Sequence, residues 1–141
     1  MIGTVHSPLD ALWSGVYRPP RAPGRLRQAA ARAGLVDFCI DLAPVNDKAR
    51  FLALCAARLG FPPSFGNNWD AFADSLQDFS WRAANGYLID FRHTSAFAKA
   101  VPQDYATALE ILRAAAAFWK ERGTPFIALI DGAPDLPRFP I

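Results

Sequence analysis

Three runs of strand-forming residues, separated by longer helical stretches, leave this chain few architectures. Val36, Phe38, Ile40 and Leu42 alternate with Asp37, Cys39 and Asp41, the pattern of a half-buried strand that begins at Leu35 and is stopped by Pro44. Tyr87-Leu88-Ile89-Asp90-Phe91 follows the turn signal Asn85-Gly86 and reads as a buried strand, and Phe126-Ile127-Ala128-Leu129-Ile130-Asp131 reads as another. Before the second run, Asp47 caps a helix that passes through Phe51, Leu52, Leu54, Cys55 and Leu59 and ends at Gly60. After it, residues 94–100 form a brief helix. A longer helix opens at Gln103 or Asp104, carries the stripe Tyr105, Ala108, Leu109, Leu112, Ala116 and Trp119, and is closed by Gly123. Strands joined through helices need right-handed crossovers, which make the sheet parallel. The expectation is an α/β, two-layer fold with a three-stranded parallel sheet and about four helices, plus an N-terminal extension.

Residues 65–79 carry the chemistry. At about 100° per residue, Trp69, Phe72, Ala73, Leu76 and Phe79 make one apolar stripe of a short helix, and Asp70, Asp74 and Asp78 stack on the opposite side. Asn67 or Asn68 is the expected N-cap, Gly66 the residue that lets the chain turn in tightly, and Asp70 sits in the first turn, where the helix dipole favours a carboxylate. Asp74 and Asp78 have no such compensation. Like charges at i, i+4 cost roughly 0.2–0.5 kcal/mol per pair. Between Gly60 and Trp81 the chain offers three aspartates and neither Lys nor Arg. The row reads either as a solvated face neutralised from elsewhere in the fold or as a surface kept for a cationic partner.

The pattern Phe65-Gly66-x-Asn68-x-Asp70-Ala71-x-x-Asp74-x-Leu76 resembles the signature of the barstar family, small intracellular inhibitors of a basic ribonuclease, and the order of elements around it follows that family over residues 35–131. The resemblance implies strand order 1-2-3. It implies that Asp70 and Asp74 match the acids that enter the enzyme's active site and that Gly66 and Asn68 match the loop presenting them, with Phe65 matching a ring. The sequence departs from the family at Ser64 and Ala73, which stand where aromatics flank the acids, at Trp69, which replaces an aliphatic residue, and at Phe118, which falls on an acidic position of the long helix.

With 141 residues, 52% of them hydrophobic and 20% charged, the chain is long enough for one globular domain with a sizeable core. No apolar run approaches the ~20 residues needed to cross a bilayer. The opening Met1-Ile2-Gly3-Thr4-Val5-His6 has no basic segment followed by an apolar one, so no signal peptide is expected and the predicted location is cytoplasmic. Cys39 and Cys55 suit a reducing compartment as small core residues. With two histidines, His6 and His93, and no C-x-x-C, neither a zinc site nor any other metal or cofactor is expected.

The net charge of +2 is unevenly spread: residues 1–34 hold five arginines against Asp10, whereas residues 35–133 hold nine bases and eleven acids. The arginines lack interleaved aromatics, so no nucleic-acid binding is predicted. Residues 1–34 read as a basic extension, 35–133 as the barstar-like domain and 134–141 as a proline-rich tail. In the extension, Ser7 caps a short helix with Pro8 at its first position and a stripe of Leu9, Leu12, Trp13 and Val16 that should lie on the main body. An extended linker, Pro19-Pro20-Arg21-Ala22-Pro23-Gly24, leads to a second short helix over residues 25–33, closed by Gly34.

The functional expectation is an inhibitor, not an enzyme: an acidic helix that blocks the phosphate-binding site of a basic ribonuclease or other cationic enzyme, in a protein that is a monomer or weak homodimer. The partner-binding residues expected are Ser64, Phe65, Gly66, Asn68, Asp70, Ala73, Asp74 and Asp78. Two other classes remain. Asp41, Asp90 and Asp131, each after an isoleucine near a strand end, suit a small metal-dependent enzyme that holds Mg²⁺ at the sheet's C-terminal edge. An extension that covers a sheet face in trans suits a dimerisation or adaptor module.

Overall fold

Val16 of the extension lies in a strand, not in the helix expected there. The structure, a computed structural model, describes residues 9–141. Its elements are β1 (Gly15–Tyr17), α1 (Pro23–Ala33), β2 (Leu35–Asp41), α2 (Lys48–Leu59), α3 (Trp69–Leu76), β3 (Gly86–Arg92), α4 (Ser95–Ala100), α5 (Pro102–Glu121) and β4 (Phe126–Ile130). The sheet is parallel throughout, in the order β1-β4-β3-β2. Strands β2, β3 and β4 are neighbours in chain order, as the resemblance implied, but among the described residues the sheet has four strands, not three; the α-helices are the four expected of the domain, α2 to α5, and α1 in the extension.

The fourth strand has a physical origin. β4 is buried along its whole length, so unpaired amides and carbonyls on its outer edge would be costly. Gly15, β-branched Val16 and aromatic Tyr17 supply a partner in the register Gly15↔Ile127, Val16↔Ala128, Tyr17↔Leu129. Among the described residues, helical structure before them amounts to one 3₁₀ turn, Ala11–Trp13, capped by Asp10, whose carboxylate accepts from the Leu12 amide at 2.9 Å. The expected stripe is therefore split: Leu9 and Val16 are buried, Trp13 is half-buried and Leu12 is 75% exposed. Ser7 and Pro8 lie outside the described residues. Ser14 Oγ accepts from the Phe126 amide at 3.0 Å, joining this segment to the start of β4.

Helices lie on both faces of the sheet, so the fold is not simply two-layered. α2, α3, α4 and α5 contribute to the main core, where Phe51 stacks on Phe97 at 4.7 Å and meets Phe72 edge-on at 5.6 Å. On the other face, Leu26, Ala29 and Ala30 of α1 form a second core with Leu9, Leu35, Leu88, Ile127, Leu129 and Phe139. α1 starts two residues before the expected helix, because Pro23 suits the first helical position. The chain beyond β4 is also built in: Arg18 donates its amide to the Pro137 carbonyl at 2.7 Å, and Phe139 is fully buried.

Candidate functional site: the acidic face of α3

α3 is placed from both ends. At its start Asn68 is the N-cap, with extended backbone and Oδ1 accepting from the Ala71 amide at 2.8 Å, while its Nδ2 donates to the Gly66 carbonyl at 3.3 Å. The tight turn expected at Gly66 has its left-handed residue one position on, at Asn67, with φ 52°, a conformation Asn tolerates better than most residues. Gly66 matters by space instead: a Cβ there would lie 3.1 Å from Asn68 Nδ2, crowding the cap. At the other end, the Trp119 indole of α5 donates to the Leu76 carbonyl at 2.7 Å. The apolar face is fixed by Phe72 and Leu76, both fully buried, and by Trp69, whose ring lies 5.8 Å from Phe51.

Asp70 and Asp74 stand one turn apart on the outer face, both exposed. No ion pair or side-chain hydrogen bond engages either carboxylate among the described residues. Asp78 departs from the expected row. The helix ends at Leu76, and Asp78 occupies the following turn, its amide donating to the Ser75 carbonyl at 3.2 Å. Next to it Phe79 adopts φ 49° and buries its ring against Tyr87 at 4.3 Å, which turns the chain out of the helical path. Phe79 therefore belongs to the core but not to the helix. Asp74 and Asp78 are not the i, i+4 helical pair that the sequence suggested.

Around the two acids, Ser64 is exposed, Ala73 is half-buried, and Phe65 is half-buried with its ring 5.0 Å from Phe61. Lys48 holds its ammonium 5.7 Å from the Trp69 ring centroid, a cation on the flank of α3 that no local spacing reveals because it comes from α2. Phe118, at the position of a family acid, is covered by its own helix neighbour: the Arg122 guanidinium sits 3.5 Å from the ring centroid.

Two of the strand-end carboxylates, Asp41 and Asp131, meet at His93, and the third, Asp90, is engaged by arginines. Asp90 lies within β3, opposite Cys39 and Leu129, and pairs with Arg92 at 3.1 Å and Arg27 at 3.4 Å. Asp41 accepts from the Ala43 amide at 2.9 Å and meets His93 Nδ1 at 2.9 Å, and the backbone bond to Ala43 more than the His93 ring holds its carboxyl below the usual range. Asp131 accepts from the His93 amide at 3.3 Å. Among the described residues no group of three or more His, Cys, Asp or Glu side chains is placed to hold a metal. Burial pushes the Cys55 thiol far up, as expected for a core cysteine.

Together these features define an α/β protein that presents carboxylates on a short helix fixed at both ends. The family model for Barstar (barnase inhibitor) matches residues 36–131, well over half of the chain, and the chain belongs to the barstar family. The match leaves out β1, α1 and the segment bearing Phe139. No curated protein matches the chain at a significant level. Among the described residues no helix is long and apolar enough to cross a membrane.

Proposed function

We propose that this protein inhibits a cationic enzyme, a ribonuclease first among the candidates, by seating Asp70 and Asp74 in its phosphate-binding site. The observation that carries the reading is the pair of exposed, unengaged carboxylates on a helix whose other face is locked into the core. A ribonuclease cleft holds phosphate with Lys, Arg and His, and two carboxylates one helical turn apart can occupy the same donors. Because α3 is fixed before binding, little ordering cost falls on the complex. Attraction between an acidic face and a basic cleft speeds encounter and weakens with salt; the complex of barnase with barstar is the reference case for such steering.

Asn68 and Gly66 shape the turn into the helix, and Phe65 with the small residues Ser64 and Ala73 forms the rim. Ser64 and Ala73 offer no aromatic anchors, and Phe118 under Arg122 replaces an acid with a covered ring. The target is therefore expected to differ from barnase where those positions would meet it. Asp78, in the turn after α3, adds charge to the approach. The protein acts in the cytoplasm as a monomer or weak homodimer, without nucleic acid, metal or cofactor.

The test is affinity capture from the native host on immobilised wild-type protein and on Asp74→Asn, with salt elution and mass spectrometry. A basic enzyme that elutes from the wild type, is missing from the variant, and loses activity when wild-type protein is added supports the proposal. Identical eluates from both columns would overturn it.

A further inference from the structure

We propose a second site, remote from α3 in the sequence, in which Arg18 and Arg138 bind a phosphate group. Arg18 follows β1 and forms a parallel bridge with Arg138: the Arg18 amide donates to the Pro137 carbonyl at 2.7 Å, and the Phe139 amide donates to the Arg18 carbonyl at 3.1 Å. Residues opposed in this way are cross-strand neighbours, and like charges so placed repel. Neither guanidinium is in an ion pair among the described residues. Arg138 is steadied by one bond, from Nη1 to the Pro19 carbonyl at 3.0 Å. Arg18 Nε is shut away from solvent and has no hydrogen-bond partner among the described residues. An unpaired buried donor is unfavourable in itself, and an anion bound by the terminal N–H groups of both guanidiniums would relieve the repulsion.

Both arginines line one cavity of about 340 Å³, with Pro19, Asp131, Gly132, Ala133 and Pro134. It opens beyond the C-terminal ends of β1 and β4, the edge at which parallel sheets receive ligands. Its volume suits a small molecule bearing one phosphate.

The chemistry favours phosphate over other oxyanions. Two guanidiniums offer more N–H donors than one carboxylate can accept, whereas a phosphate presents an oxygen to each fork. Asp131 lines the same cavity, with its Oδ2 accepting from the His93 amide and its Oδ1 in no hydrogen bond among the described residues. A carboxylate beside an anion is unfavourable unless the anion donates a proton to it. Phosphate retains an O–H near neutral pH and can donate it to Asp131 Oδ1; sulfate has none. The sequence hid this site because its arginines fall just before the Pro-rich linker and in the tail, far apart in the chain.

The experiment is an amide-resolved NMR titration of the full chain with inorganic phosphate, sulfate and acetate at constant ionic strength near pH 7. Saturable shifts with phosphate centred on Arg18, Gly132 and Arg138, at least ten-fold weaker for sulfate and acetate, are expected. Arg18→Gln and Arg138→Gln should each weaken phosphate at least ten-fold, Asp131→Asn should erase the preference over sulfate, and Asp74→Asn should bind as the wild type does. Shifts that do not saturate, that centre elsewhere, or that survive both arginine changes would overturn the site. If a variant does not fold, the wild-type shift map and the phosphate-to-sulfate ratio decide alone. Because α3 is untouched, failure here leaves the inhibitor proposal standing, and failure of that proposal leaves this one.

Discussion

The indole N–H of Trp119 donates to the carbonyl of Leu76, the last residue of α3, at 2.7 Å. Trp81 serves Leu59, the last residue of α2, in the same way at 3.2 Å. Carbonyls in the final turn of a helix lack intrahelical donors, and here two indoles supply them. Trp119→Phe keeps a ring on the α5 stripe and removes the donor. It should lower stability by about 1–3 kcal/mol in urea denaturation. It should also speed amide exchange in the last turn of α3, where a loss of packing alone would act on the whole core.

Asp70 and Asp74 are expected to separate in stability although they act together in binding. Asp70 lies in the first turn, so Asp70→Asn gives up a dipole interaction of about 0.3–1 kcal/mol, offset in part by relief of its repulsion with Asp74. Asp74→Asn relieves its repulsion with Asp70 and should leave stability unchanged or slightly higher, by roughly 0.2–0.5 kcal/mol. In the capture assay Asp74→Asn should weaken the complex by about 2 kcal/mol or more, because the partner's opposing cation is left buried and unpaired. Urea midpoints and dissociation constants for both variants check each half. Clear destabilisation by Asp74→Asn with intact capture would remove that residue from the proposed interface.

Phe139 provides a third test. Its ring is fully buried, 4.9 Å from Tyr17 and 5.6 Å from Trp13, within the core that α1 closes. Phe139→Ala should cost about 3–5 kcal/mol, the usual range for emptying such a site. A melting temperature within a degree or two of the wild type would show that this segment contributes little to the fold.

Acid stability should depend on Asp41. The Ala43 amide first, and the His93 ring second, hold its folded-state pKa below the unfolded value. A carboxylate lowered in this way stabilises the fold above its unfolded pKa, near 4, and loses that contribution as pH falls through the folded value. Asp41→Asn should therefore flatten the decline in melting temperature below about pH 4 and leave its shape unchanged above pH 6. An unaltered acid limb would show that these bonds do not outlast solvent competition at so exposed a site.

The parts of the fold written in local periodicity were legible beforehand. Alternation along β2, the Asp47 cap with Gly60 after α2, and the stripe ending at Gly123 after α5 each depend on residues within a few positions of one another. The Asn68 cap and the exposure of Asp70 and Asp74 were legible for the same reason. What escaped was set from a distance. Three residues cannot display alternation, so β1 exists only through its pairing with β4. α3 stops at Leu76 because Phe79 turns toward Tyr87 and Trp119 reaches across from α5, and so Asp78 leaves the row. The approach of Arg18 to Arg138 follows from that same distant pairing.

Ser14 and Phe126 are 112 residues apart in sequence, yet they are hydrogen-bonded where β1 meets β4. During synthesis the residues of β1 leave the ribosome before those of the other three strands and have no strand to join until β4 has followed. Closing so long a loop is among the slowest kinds of contact to form. The central strands and their helices can assemble first, and the outer strand is then the last to seat. Until it does, the outer edge of β4 is a bare apolar edge open to pairing with another molecule. Seating β1 thus covers that edge and leaves at the rim of the sheet a strand of only three residues, too short to template much pairing.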